Sequence, residues 1–115
     1  MCRDHYPRTV LVVNRFRVAE DDADAFRDDV ERARATLAQR PGYLAGQVGR
    51  NLDDPSLWVL VTTWENVGAY RRALSAYDVK LHAVPILSRA VDEPSAYEPA
   101  DPGADLNVPD ARSLG

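Results

Sequence analysis

The chain has 115 residues, 45% of them hydrophobic and 28% charged, which is the size and composition of one globular domain. Its 14 Lys and Arg against 18 Asp and Glu leave a net charge of −4 with no basic run, so electrostatics give nucleic-acid binding little support. A single cysteine, Cys2, excludes an internal disulfide, and together with two histidines it excludes a cysteine-ligated cluster or a structural zinc site.

Residues 1–9 read as an N-terminal arm. Its charges stand where a signal peptide needs an apolar core, and no apolar run approaches a membrane span, so a cytoplasmic protein is expected. Cys2 in this arm reads as incidental. Residues 10–18 form the first predicted strand. Val10, Val12, Asn14, Phe16 and Val18 share one face of it, and Leu11, Val13, Arg15 and Arg17 share the other. Glu20, Asp21 and Asp22 then place negative charge at a helix start, where the macrodipole favours it. Ala23, Phe26, Val30, Ala33 and Leu37 recur at helical spacing as an apolar stripe, and Pro41-Gly42 ends the helix.

Residues 43–50 predict a second strand, weakened by Gly46 and Gly49, and residues 51–56 a polar turn. Residues 57–64 predict the third strand. Both of its faces, Trp58/Leu60/Thr62/Trp64 and Leu57/Val59/Val61/Thr63, look fit for burial. One helical layer covers only one face, so a second subunit is expected on the other. Asn66 is suited to cap a second helix with Val67, Tyr70 and Leu74 on its buried side. Asp78 is expected to cap a short third helical piece through Val79, Leu81 and His82, limited by Pro85. Residues 93–99 predict a short fourth strand that prolines confine to an edge. From residue 100 to 115, Pro, Asp and Gly predominate, and a mobile tail is expected. The β-α-β-β-α-β order makes residues 10–99 an α+β, ferredoxin-like domain.

No glycine-rich phosphate loop or nucleophile elbow is present. The side chains suited to line a cleft between sheet and helices are Asn14, Phe16, Trp58, Trp64, Tyr70, Tyr77 and His82. Each also has a plain structural reading. A tryptophan on a strand is more often core than platform, and a histidine on a short helix is more often solvated than a ligand.

The run of residues 57–74, an apolar strand into Trp64-Glu65 and then an Asn66-capped amphipathic helix, resembles the antibiotic biosynthesis monooxygenase (ABM) family. The resemblance extends over roughly residues 10–99. It implies a dimeric α+β barrel, a homodimer joined through the sheet face. One branch of that superfamily degrades haem with an Asn on the first strand, a Trp on the second helix and a ligating His after it. Here Val12-Val13-Asn14-Arg15-Phe16 resembles the Asn-bearing strand and His82 falls where the axial ligand is expected, but the Trp position falls at or near Ala73. The other branch comprises cofactor-independent monooxygenases of quinols and aromatic polyketides. The resemblance therefore implies a cofactor-free monooxygenase of a small aromatic substrate, with a haem protein or a non-catalytic binding module of the same fold as alternatives. Under that reading Asn14 stabilises a developing phenolate, His82 moves a proton, and Phe16, Trp58, Trp64, Tyr70 and Tyr77 contact the substrate.

Overall fold

The computed structural model describes residues 8–107. Cys2, most of the N-terminal arm and residues 108–115 of the expected tail lie outside the described residues. The elements are β1 (Val10–Arg17), α1 (Ala23–Ala38), β2 (Tyr43–Arg50), β3 (Leu57–Trp64), α2 (Val67–Ser75), α3 (Tyr77–His82), α4 (Val84–Leu87) and β4 (Ala96–Tyr97). The sheet runs β2-β3-β1-β4 with every neighbouring pair antiparallel, which is the ferredoxin-like arrangement expected from the element order.

Local chemistry explains where the elements begin and end. Glu20–Asp22 forms its own 3-10 turn ahead of α1. Gln39 caps the other end of α1, and the chain reverses at Gly42 with φ +92°, a conformation that side chains with a Cβ rarely adopt. A Cβ on Gly42 would also lie 2.4 Å from the Ala69 Cβ, so this turn is packed directly on α2. The Asn66 side chain accepts a hydrogen bond from the Ala69 amide at 2.8 Å, as expected of an N-cap.

Four details differ from the sequence reading. β1 ends at Arg17, because the Val18 amide turns to the Ser56 carbonyl at 2.8 Å. α3 starts at Tyr77, one residue ahead of Asp78, which lies within its first turn and accepts from the Val79 amide instead of capping the helix. α3 ends at His82, before Pro85 as expected, but an unforeseen turn, α4, follows and takes Pro85 into its first turn, where the missing N–H has no partner to lose. The fourth strand is only Ala96–Tyr97, at the sheet edge beside β1.

All helices lie on one face of the sheet. Phe26, Val30, Ala33 and Leu37 of α1, Ala69 and Ala73 of α2 and Val79 of α3 pack with Val12, Phe16, Trp58, Leu60 and Trp64 into one core. Phe16, Phe26 and Trp58 form an aromatic chain with centroids 5.0 and 5.4 Å apart. The opposite face carries Leu11, Val13, Leu57, Val59, Val61 and Tyr97, all at least partly exposed.

At the β2–β3 loop, Asp54 accepts from the Ser56 hydroxyl at 2.7 Å and from Arg17 at 2.6 Å. The Ser56 hydroxyl first and the Arg17 guanidinium second hold its carboxyl at about 2, below the ordinary 3.8. The folded state thus has the weaker affinity for this proton. The stabilisation is complete above 3.8 and is lost as pH falls toward about 2. Thermal unfolding followed across that interval should show a steeper fall in Tm for the parent than for Asp54→Asn. Parallel curves would show that the loop contacts contribute nothing to folding.

Candidate functional site

On the covered face, β1 presents Val10, Val12, Asn14 and Phe16, and β3 presents Trp58, Leu60, Thr62 and Trp64. Seven of these eight side chains are buried, and only Asn14 is not. Its cross-strand partner Leu60 and its row neighbours Val12 and Phe16 are 0–1% exposed. The helical cover therefore has its gap over the single carboxamide of an otherwise closed row. No side-chain hydrogen bond to Asn14 occurs among the described residues, which leaves its donors and acceptor available.

The segment after α4 borders this position. The Val13 amide donates to the Ser95 carbonyl and the Val91 amide to the Arg15 carbonyl, each at 2.7 Å, so residues 91–95 run along β1 on either side of Asn14. Tyr70 reaches the same segment from α2. Burial pushes its hydroxyl up from the ordinary value, and the Ser95 side chain pulls the other way with the smaller effect. Tyr70 is thus a neutral hydroxyl at physiological pH. Its ring lies 5.7 Å from Trp64, whose indole N–H donates to the Thr62 hydroxyl at 2.9 Å. Tyr43 meets the same indole edge-on at 5.3 Å.

The residues singled out from sequence separate into three groups. Trp64 and Tyr70 pack together at one end of the covered face, while Asn14 lies further along it, opposite Leu60, and is linked to Tyr70 only through the Ser95 segment. Phe16 and Trp58 are core, at 1% and 3% exposure, and Trp58 also lines a cleft whose walls do not include Asn14. Tyr77, at 79% exposure, and His82, at the exposed end of α3, stand in solvent. The structure does not bring His82 to Asn14, and neither of the two described clefts is lined by either residue. The larger cleft, about 620 Å³, lies between the start of β1, the start of α2, β4 and residues 105–107. There Arg8 bonds the Asp105 carbonyl and pairs with Glu98, which also accepts from the Asn107 amide at 2.8 Å.

A haem does not fit these residues. His82 is exposed, while Ala73 is packed in the core at 2% exposure, so the two share no walled pocket for a macrocycle. Among the described residues no group of three or more His, Cys, Asp or Glu is placed to hold a metal ion, and no helix is long and apolar enough to cross a membrane.

Sequence reasoning passed over Thr62 and Ser95. Thr62 was within reach, since it shares a strand face with Trp64. Ser95 was not, because only the return of the chain along β1 places it beside Tyr70.

Compared with known proteins, residues 9–82 match the family model described as antibiotic biosynthesis monooxygenase. No curated protein matches the sequence significantly. Among solved structures, SnoaB, a cofactor-independent oxygenase from Streptomyces nogalater, is 26% identical with a TM-score of 0.65, covering 90% of this chain and 99% of that one. A candidate antibiotic biosynthesis monooxygenase from Deinococcus radiodurans is 21% identical with a TM-score of 0.66, covering 88% and 99%. Rv0793 from Mycobacterium tuberculosis is 15% identical with a TM-score of 0.65, covering 84% and 99%. The last two identities are low enough to speak for the fold alone.

Proposed function

As the chain belongs to the antibiotic biosynthesis monooxygenase family, we propose that it is a cofactor-independent monooxygenase of a small aromatic, quinol or polyketide-type substrate, using dioxygen. The observation that carries this reading is the gap in the helical cover over Asn14, where a free carboxamide stands among buried apolar and aromatic side chains. The likeness to SnoaB supports the absence of a cofactor.

In this reaction the substrate supplies the electrons. A phenol that gives up its proton becomes electron-rich enough to react with dioxygen at a ring carbon. One oxygen atom stays as the new quinone oxygen and the other leaves as water, whose two hydrogens come from the substrate's O–H and ring C–H. The protein's part is to hold the ring, to stabilise charge on oxygen and to pass a proton. Asn14 donates its Nδ2–H to the phenolate oxygen, in a site where surrounding apolar groups strengthen that bond. Tyr70, protonated and bonded to Ser95 of the segment that runs along β1 past Asn14, serves the proton. Trp64 braces Tyr70 from below. His82, exposed at the end of α3, takes no part in this scheme.

The test is oxygen uptake by the purified chain with a dihydroxyaromatic substrate, without flavin or metal. Uptake matched by quinone formation is expected. A Soret band on haem titration without such uptake would favour the haem reading instead. Neither response would leave a binding module.

The second subunit belongs to the same proposal. The uncovered sheet face carries Leu11 at 37% and Tyr97 at 50% exposure beside Val13, Val59 and Val61, an apolar patch of the kind that soluble monomers seldom leave open. Arg15 on that face is already neutralised by Glu93 through two bonds of 2.7 Å, so covering the face buries no lone charge there. Sedimentation should give about twice the 12.8 kDa chain mass. A clean monomer at micromolar concentration would refute the dimer.

A further inference from the structure

A protein with an excess of acids collects two unpaired cations at one place. A cleft of about 460 Å³ opens where the start of α1, the end of β2 and the β2–β3 loop meet, and its walls include Arg27, Arg50, Asn51, Leu52, Pro55 and Trp58. No acidic residue lines it. Arg15, Arg17 and Arg34 each hold a carboxylate, whereas Arg27 and Arg50 form no ion pair among the described residues. Arg50 instead lies 5.6 Å from the centroid of the Trp58 ring, an arrangement that fixes the guanidinium and leaves its N–H groups free. The Asn51 carboxamide oxygen accepts from the amides of Asp53 and Asp54, both at 2.8 Å, which leaves its NH2 group to donate elsewhere.

The remaining walls are apolar. Leu52 is fully exposed beside Pro55, and Trp58, 3% exposed, has a buried indole N–H with no partner. A buried donor without an acceptor is costly, and native structures seldom keep one without a reason.

We propose that this cleft binds a small organic carboxylate with an apolar body, at a site separate from Asn14. Two guanidinium forks and an amide donor match a planar carboxylate, and the Leu52–Pro55–Trp58 wall takes the hydrocarbon part. An inorganic anion would leave that wall wet, and a neutral aromatic would leave both arginines without a partner. The cleft is built from α1, β2, the β2–β3 loop and Trp58 of β3, and Asn14 on β1 is not among its walls, so the inference does not depend on the proposed oxygenase activity.

Proton–nitrogen correlation spectra of the uniformly 15N-labelled full chain provide the test. They contain two indole signals, from Trp58 and Trp64, and Trp58→Phe assigns them. Benzoate is expected to move the Trp58 signal saturably while the Trp64 signal, held by Thr62, stays in place. Benzyl alcohol and phosphate at equal concentration should leave both unmoved. Arg27→Ala/Arg50→Ala, on the exposed rim, should weaken benzoate binding about tenfold or more, from the loss of charge-assisted bonds. Asn14→Ala should leave the titration unchanged. The proposal is overturned by no saturable benzoate shift, by an equal response to phosphate or benzyl alcohol, by full binding in the double variant, or by loss of binding in Asn14→Ala.

Discussion

Asn14→Ala is expected to lower the turnover of aromatic oxidation about a hundredfold or more, the usual loss when a donor aimed at developing charge is removed. The size follows from the surroundings. Val12, Phe16 and Leu60 around Asn14 are apolar and closed to solvent, so none of these three neighbours offers a donor to an oxyanion. Water entering the gap in the variant would replace the carboxamide poorly, because it must reorganise as charge develops. The effect belongs in kcat, with KM changed less, since the bond strengthens as the phenolate forms. Folding should be almost unaffected, because Asn14 has no side-chain bond to lose among the described residues. Tyr70→Phe should slow the same step while keeping the ring that packs on Trp64. Steady-state oxygen uptake measures both variants, and full activity in Asn14→Ala would move the chemistry to another part of the molecule.

The largest effect on stability is expected from Trp64→Ala, about 3–5 kcal/mol. Trp64 is 0% exposed and closes the end of the core, with Tyr43 on one side and Tyr70 on the other. Its removal opens a cavity that the sheet cannot collapse, because Trp64 pairs in register with both Val10 and Tyr43. It also strips Thr62, 1% exposed, of the indole that donates to its hydroxyl. Trp64→Phe should cost less, since it keeps most of the volume and loses mainly that bond. Urea titration monitored by circular dichroism would read both midpoints. A loss below about 1 kcal/mol for the alanine variant would show that the core repacks there, against the usual behaviour of a large buried aromatic.

Much of the fold was legible because its signals are local. Strand alternation grouped Val12 with Phe16, and Trp58 with Leu60 and Trp64, and all five are buried on the face that the helices cover. The i, i+3/i+4 stripe of α1 and the Asn66 cap are likewise decided within a few residues of chain. The start of α3 ahead of Asp78 and the separate turn α4 around Pro85 went differently, because short helical turns packed against α1 are decided by tertiary contact and not by the nearest cap. The candidate site was legible only in part. Asn14 and Tyr70 were named from residue type and register. His82 and Tyr77 were named for the same reason and stand in solvent, since a six-residue helix has no periodicity long enough to tell its inner face from its outer one.

The sequence by itself therefore determined the strand faces, the first two helices, the β-α-β-β-α-β order and the likeness to a family, because each rests on spacings within one element or on their succession. Only the tertiary structure decided that the covering helices leave their gap over Asn14, that Ser95 returns beside Tyr70, and that Arg27 and Arg50 meet around Trp58 without a carboxylate. Those facts depend on how elements far apart in the chain close over one another, and a gap in packing leaves no pattern in the residues on either side of it.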